Sequence, residues 1–209
     1  MSKRIFISLI AVFVVTAISF SIWKRVMPNP LAPGTISTSG GREMSLRNSE
    51  GKTYFLQNDP EWGEEKIGGS GETIGQVGCT LCSLAMAVSD LGHEIDPPTL
   101  NNNLIAHSGY TGQGWLIWGA VPASTDGFAE VVYCDKPTYR QIDTCLEKGE
   151  YPIVKIFLPG PIQHWVTVVG KDGDEYLIKD PAVRTKKIVK LSSRAPAIHA
   201  LRYVRRKEK

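Results

Sequence analysis

The sequence predicts an α+β fold on three observations. Segments with a three-to-four residue apolar period fill residues 79–148, and short β-branched runs set off by Gly, Pro and Asp follow from Tyr151. The overall balance, 42% hydrophobic and 22% charged, is that of an ordinary globular chain. Helices first and strands after imply an N-terminal helical layer packed on a C-terminal antiparallel β-sheet. At 209 residues there is room for one well-cored domain.

Residues 5–23 carry no charge and are bracketed by Lys3-Arg4 and Lys24-Arg25. As a helix rising ~1.5 Å per residue, this run nearly crosses a ~30 Å hydrocarbon layer. Its one small-residue exit site, Ala17-Ile18-Ser19, sits inside the apolar run. Residues 1–26 are therefore read as an uncleaved transmembrane anchor, with a cleaved signal peptide as the alternative. Lys3 and Arg4 favour a cytoplasmic N-terminus and an extracytoplasmic domain. Residues 27–50, with Pro28-Asn29-Pro30, Pro33-Gly34 and Ser39-Gly40-Gly41, read as a flexible linker. Residues 51–204 are assigned to the domain and 205–209 to a solvated basic tail. The net charge of +3 lies partly in that tail and gives no nucleic-acid footprint. Cysteines at 79, 82, 134 and 145 lack the paired spacing of a zinc ribbon and are too few for a disulfide scaffold, so neither a metal nor a cofactor is expected.

Within the domain, a strand-like run over residues 52–57 ends in Asn58-Asp59-Pro60-Glu61-Trp62, and a long irregular Gly-rich loop follows over residues 63–78. A helix opens at Cys79 with Leu81, Leu84, Ala85, Val88 and Leu91 on one face, and Gly92 stops it. Asp96 caps a second helix that begins at Pro97 and turns Leu100, Leu104 and Ile105 inward. Trp115-Leu116-Ile117-Trp118 reads as a third short helix and residues 127–133 as a strand. Residues 138–148 form a helix with Ile142, Cys145 and Leu146 inward. Strands are expected over 152–157, 164–169, 175–178 and 187–191.

The stretch Gly78-Cys79-Thr80-Leu81-Cys82 carries the chemistry. A helix start favours a thiolate through its unpaired N–H groups and the helix dipole. His93, His107 and His199 read as structural, whereas His164 opens a strand and has a carboxylate in the strand that follows. If Lys171-Asp172-Gly173 forms a three-residue loop with a left-handed glycine, His164 lies opposite Asp180 on one face; a two-residue Asp172-Gly173 turn would throw Asp180 to the other. His164 would then take the Cys79 proton, with Asp180 orienting the ring. The Cys79 N–H and the Gln57 side-chain amide are candidate oxyanion donors. Cys79-Thr80-Leu81-Cys82 is also a Cys-x-x-Cys, so a thiol-disulfide oxidoreductase is the rival chemistry, and a membrane-tethered peptide-binding module without turnover is the non-enzymatic alternative.

The order Gln57, Asp59-Pro60, Trp62, then Gly78-Cys79 with Ser83 and Ala85-Met86, then His164 through Gly170, then Asp180-Pro181, resembles the bacteriocin-processing-type cysteine peptidases of the papain-like superfamily. Closest are their stand-alone relatives, which lack the fused transporter. The resemblance covers residues 51–195. It implies a papain-like fold and hydrolysis of a peptide or protein substrate, with Cys79 as nucleophile, His164 as base, Asp180 as orienter and Gln57 as oxyanion residue. The chain has no Gly-x-x-x-x-Gly-Lys-Ser/Thr phosphate loop. Cleavage after a double glycine is therefore not carried over.

Overall fold

The computed structural model describes residues 31–48 and 53–208. The expected anchor at residues 5–23 lies outside them, and among the described residues no helix is long and apolar enough to cross a membrane. The chain divides into two units, Met1–Ala32 and Pro33–Lys209, and all of its described secondary structure belongs to the second.

In chain order the elements are β1 (Ile36–Ser37), β2 (Ser39–Arg47), α1 (Ile74–Val77), α2 (Cys79–Asp90), α3 (Pro97–Ala106), a 3-10 turn (Trp118–Ala120), α4 (Val121–Ser124), β3 (Ala129–Cys134) and α5 (Tyr139–Glu147). Then come β4 (Tyr151–Leu158), β5 (Ile162–Lys179), β6 (Val189–Lys190), a 3-10 turn (Leu191–Ser193), β7 (Ala197–Ile198) and β8 (Ala200–Arg206). The main sheet is antiparallel in the order β2-β5-β4-β8-β3, with β6 on β5, and β1 pairs with β7 apart from it.

Strand alternation sorts the core into two clusters. Ile153, Trp165, Val169, Ala200 and Val204 pack with Leu81, Leu84 and Val88 of α2 and Leu100 and Leu104 of α3. Their neighbours Val154, Val166, Val168 and Leu201 pack with Ile142 and Leu146 of α5. Side chains two apart on a strand share a face, so helices meet both faces of the sheet rather than forming one layer. Local chemistry sets the helix starts. Thr73 with Gln76 and Thr138 with Gln141 are capping boxes, and the Asp96 carboxylate accepts from the Thr99 N–H at 2.8 Å.

Several expectations are corrected. The Cys79 helix is buried on every side from Leu81 to Asp90, not along one stripe, because strands, α3 and loops enclose it. Ile105 of α3 is exposed. Leu116 bridges Tyr110, and helical structure begins only at Trp118. Thr53 to Leu56 make no ladder strand, since their partners are a side chain and a turn: the Thr53 carbonyl takes the Lys179 ammonium at 2.5 Å. The Gly-rich loop is ordered by a Lys66–Thr73 bridge and by α1.

The domain is also wider than residues 51–204. Residues 36–47, expected as linker, supply β1 and β2, because the glycines there allow close passage rather than looseness. A Cβ on Gly41 would stand 2.6 Å from Asp143 Oδ2. At the other end Arg205 and Arg206 lie in β8, where Arg205 pairs with Glu130 at 2.7 Å and Arg206 Nε donates to the Leu91 carbonyl at the end of α2 at 2.8 Å.

β5 is the longest element, yet His164 and Asp180 at its two ends touch. Sixteen extended residues would separate them by roughly 50 Å, so the run doubles back. Within it Gly173 alone takes a positive φ, +64°, while Asp172 does not, which excludes a two-residue type I′ turn. The residues of the reversal are not a free loop. Leu46, Ser45 and Met44 of β2 pair with Lys171, Asp172 and Gly173. Lys171 is 0% exposed and donates to Asp143 Oδ1 at 2.8 Å and to the Arg42 carbonyl at 2.7 Å. Asp143 also accepts from the Tyr176 hydroxyl and the Arg42 N–H. One buried carboxylate on α5 thus ties β2 to both arms of the reversal. Removing one partner of a buried ion pair strands the other charge, so Lys171→Met is expected to cost about 3–5 kcal/mol in chemical denaturation. Adding Asp143→Asn returns part of that loss.

Candidate active site

Cys79 sits at a joint that only glycine permits. α1 ends at Val77, Gly78 donates its N–H to the Ile74 carbonyl at 2.7 Å, and a Cβ on Gly78 would fall 2.4 Å from that same oxygen. The chain can therefore break at Gly78 and restart as α2 with Cys79 as its first residue, and no side chain caps that end. The N-terminal end of the α2 dipole is aimed at the sulfur. One turn further, the Ser83 hydroxyl donates to the Trp165 carbonyl at 3.1 Å, and the Thr167 hydroxyl donates to the Ser83 carbonyl at 2.9 Å. These two bonds clamp α2 to β5 and set the spacing between Cys79 and the residue before Trp165.

That residue is His164, 3% exposed. Its Nε2 lies 2.7 Å from Asp180 Oδ1, which leaves Nδ1 for the Cys79 sulfur, to which the ring is electrostatically coupled. Burial works against the charged form of both groups, and the pairing outweighs it. The Cys79 thiol is held below its ordinary value by the hydrogen bond and charge of His164, helped by the Trp165 N–H and the Thr80 hydroxyl. Burial would lower the His164 imidazole, but the hydrogen bonds to Asp180 and Cys79 push it up to about 9. The Asp180 carboxyl, which burial alone would raise, is held below its usual range chiefly by His164, then by the Ala182 N–H and Arg194. The two opposite shifts favour a thiolate beside an imidazolium over the neutral pair.

Asp180 is fully buried, and each oxygen is spoken for. Oδ1 also accepts the Ala182 N–H at 2.8 Å, and Oδ2 accepts Arg194 Nε at 2.6 Å. Tyr54 holds the backbone at this point. Its hydroxyl accepts the Asp180 N–H at 2.9 Å and lies 3.1 Å from the Asp180 and Lys187 carbonyls. Neither Tyr54 nor Arg194 stood out in the sequence, because each reaches Asp180 through a turn whose direction no periodicity encodes.

Gln57 reaches the same cleft. Its N–H donates to the Pro181 carbonyl at 2.9 Å, Trp62 Nε1 donates to the Leu56 carbonyl beside it at 2.8 Å, and Gln57 Nε2 donates to the Gly75 carbonyl at 2.8 Å. An acceptor at Gly75 fixes the amide so that nitrogen faces it, with one further N–H available for a ligand. The other oxyanion candidate, the Cys79 N–H, lies at the start of α2. Three of the four candidate residues, Cys79, His164 and Gln57, border one cleft with a space of about 430 Å³, and Asp180 is bonded to His164.

Cys82 is a different thiol. It is free, buried in the cluster between α2 and the sheet, and pushed well up by burial. Cys134 and Cys145 are free as well. His93 stacks on Phe128, His107 meets the Asn103 carbonyl and His199 packs edge-on against Phe157, all away from the cleft. Among the described residues no group of three or more His, Cys, Asp or Glu could hold a metal.

No protein-family model and no curated protein matches the sequence. A solved structure from Bacillus anthracis, provisionally described as a C39-like peptidase, superposes with a TM-score of 0.51 at 15% identity, over 79% of this chain and 100% of that one. At that identity the likeness is one of fold: a mixed helix and antiparallel-sheet domain with the architecture of that protein.

Two measurements test the electrostatics. Alkylation of Cys79 by iodoacetamide is expected to stay fast well below the ordinary thiol range, about pH 8.5, and His164→Ala is expected to move its midpoint up by a unit or more. Stability has two limbs. The part from His164 is full below the free imidazole value of about 6.5 and is lost as pH rises through about 9. The part from Asp180 is present above the ordinary carboxyl value and is lost as pH falls through its depressed one. Thermal midpoints of wild type and His164→Gln across pH are expected to converge at alkaline pH.

Proposed function

We propose that this protein is a cysteine peptidase of the C39-like, papain-like type, in a stand-alone form. In this reading residues 1–26 anchor it in a membrane with the catalytic domain outside the cytoplasm. The observation that carries the proposal is that Cys79 and His164 border one cleft, with His164 held at 2.7 Å by the buried Asp180 and the thiol depressed by His164. The fold likeness supports it.

The thiolate attacks the carbonyl carbon of a peptide bond. A C–S bond forms, and the π electrons move to oxygen, where the Cys79 N–H and the free N–H of the Gln57 amide receive the charge. On collapse the C–N bond breaks and the His164 Nδ1 proton goes to the departing amine, leaving a thioester. Water, giving its proton back to Nδ1, then attacks the thioester and releases the acid and the thiolate. Asp180 accepts from Nε2 throughout, which keeps the ring oriented and supports its positive charge.

The dithiol alternative has less support. Cys82 is 0% exposed with a raised thiol, which is poor placement for exchange with another protein's disulfide. Hydrolysis of quenched fluorescent peptides is the test. Cys79→Ala is expected to abolish it and Cys82→Ala to leave it within a few-fold. Gln57→Ala is expected to lower kcat by about 10²–10³, and Asp180→Asn by up to about 10⁴. Hydrolysis that survives Cys79→Ala overturns the reading. So does failure of the wild type to form an adduct with a thiol-directed amide mimic, which would favour a non-catalytic binding module.

A further inference from the structure

The cleft beside Cys79 has two projecting rims, and each ends in a large apolar side chain facing water. One rim is the segment between α3 and the first 3-10 turn, which carries Trp115, 70% exposed; another is the start of β5, where Ile162, 58% exposed, follows the turn from β4. Both residues border the same space as Cys79 and His164. Exposed side chains of this size at the mouth of a cleft mark a place where apolar ligand surface is covered.

Trp115 is held there by its backbone. Its carbonyl accepts the Thr111 N–H at 2.8 Å, its N–H donates to the Thr111 hydroxyl at 3.1 Å, and the next residue, Leu116, bridges Tyr110. The indole is thus presented on a built turn, which lowers the ordering cost of gripping a ligand. Behind the rims Leu116 and Leu158 continue the apolar wall. Charge sharpens the picture. Glu72 is the one carboxylate among the lining residues, no Lys or Arg is among them, and the one cation, His164, is already engaged by Asp180 and Cys79, so an acidic ligand side chain would meet repulsion and no uncommitted partner.

We infer that the substrate of this site is an extended peptide that places a bulky apolar side chain, aromatic or branched aliphatic, between Trp115 and Ile162 beside the scissile bond, and that carries no acidic residue there. A pair of glycines would leave both rims wet. The inference rests on the peptidase reading for its chemistry, but the rims bind whether or not turnover occurs.

The test uses the full chain and quenched fluorescent peptides of one length whose residues flanking the scissile bond are Phe or Leu, Gly, or Glu. The expected kcat/KM for the Phe and Leu peptides is at least tenfold above that for the Gly and Glu peptides. Trp115→Ala, and separately Ile162→Ser, are expected to raise KM more than they lower kcat and to shrink that preference. In parallel, Cys79→Ala is titrated with the uncleaved peptides, followed by the blue shift of tryptophan emission and by the anisotropy of a labelled peptide. Turnover with equal rates for Phe and Gly peptides overturns the inference and leaves the peptidase reading standing. Selective binding by Cys79→Ala that is lost in Cys79→Ala with Trp115→Ala, without turnover by the wild type, upholds the inference and overturns the peptidase reading. Absence of both turnover and binding of the Phe and Leu peptides overturns the inference.

Discussion

The Asp180 carboxylate is the constraint around which this molecule is arranged. A fully buried carboxylate is tolerated only when its oxygens are met by donors, preferably charged ones. Here they come from three separate elements: His164 from the start of β5, Ala182 from the turn after it, and Arg194 from beyond β6. Once Asp180 is kept ionised, the imidazole beside it is pushed toward its charged form, and that charge in turn holds the Cys79 thiol down. The reactivity of the sulfur is therefore set two side chains away from it. Arg194 sits one step further back, and through Asp180 it bears on both.

Holding that series in line requires that β5 reverse at one point and that α2 not slide. β2 pairs across the reversal and Lys171 anchors it to Asp143 on α5. At the other end of the second arm Lys179, immediately before Asp180, donates to Asp90 Oδ2 at 2.7 Å near the end of α2. Two buried lysines thus fix the two ends of the arm that carries Asp180. Such pairs add little net stability over apolar residues of similar volume, but they penalise any register other than the one that pairs them. The Ser83–Trp165 and Thr167–Ser83 bonds do the same for α2 against β5. Cys79 and His164 are thereby placed on a buried helix and a strand rather than on loops, which favours a preorganised site.

The cleft divides its labour by polarity. Its floor holds the polar machinery, with the Gln57 amide fixed by Gly75 and the sulfur fixed by the Gly78 joint, while its rims offer hydrocarbon to solvent. Charge on this surface is kept mostly away from the cleft, in pairs such as Arg205 with Glu130 and Arg202 with Asp135. The terminal arginines that resemble a basic tail in the sequence are consumed inside β8.

The sequence alone determined the features that local chemistry dictates. The cap at Asp96, the helix opening at Cys79, the helix from 138, the strands expected over 152–157 and 164–169, and the left-handed Gly173 of a three-residue loop all come from residue type and short spacing. The conditional pairing of His164 with Asp180 was legible for the same reason, since the side to which a strand residue points depends only on turn length. What tertiary structure alone decided are matters of long-range partnership. Glycines at 40 and 41 look like linker until Asp143 and Tyr139 are seen to fill the space a side chain would need. The α2 face looks one-sided until strands enclose it on every side. Arg194 and Tyr54 become part of the site only because turns with no periodic signal bring them to Asp180. Trp115 reads as part of a short helix and Ile162 falls between the expected strands, and only the folded chain shows both in water at the cleft that Cys79 borders. Burial is a property of the whole packed molecule, and sequence period reports only which residues could share a face.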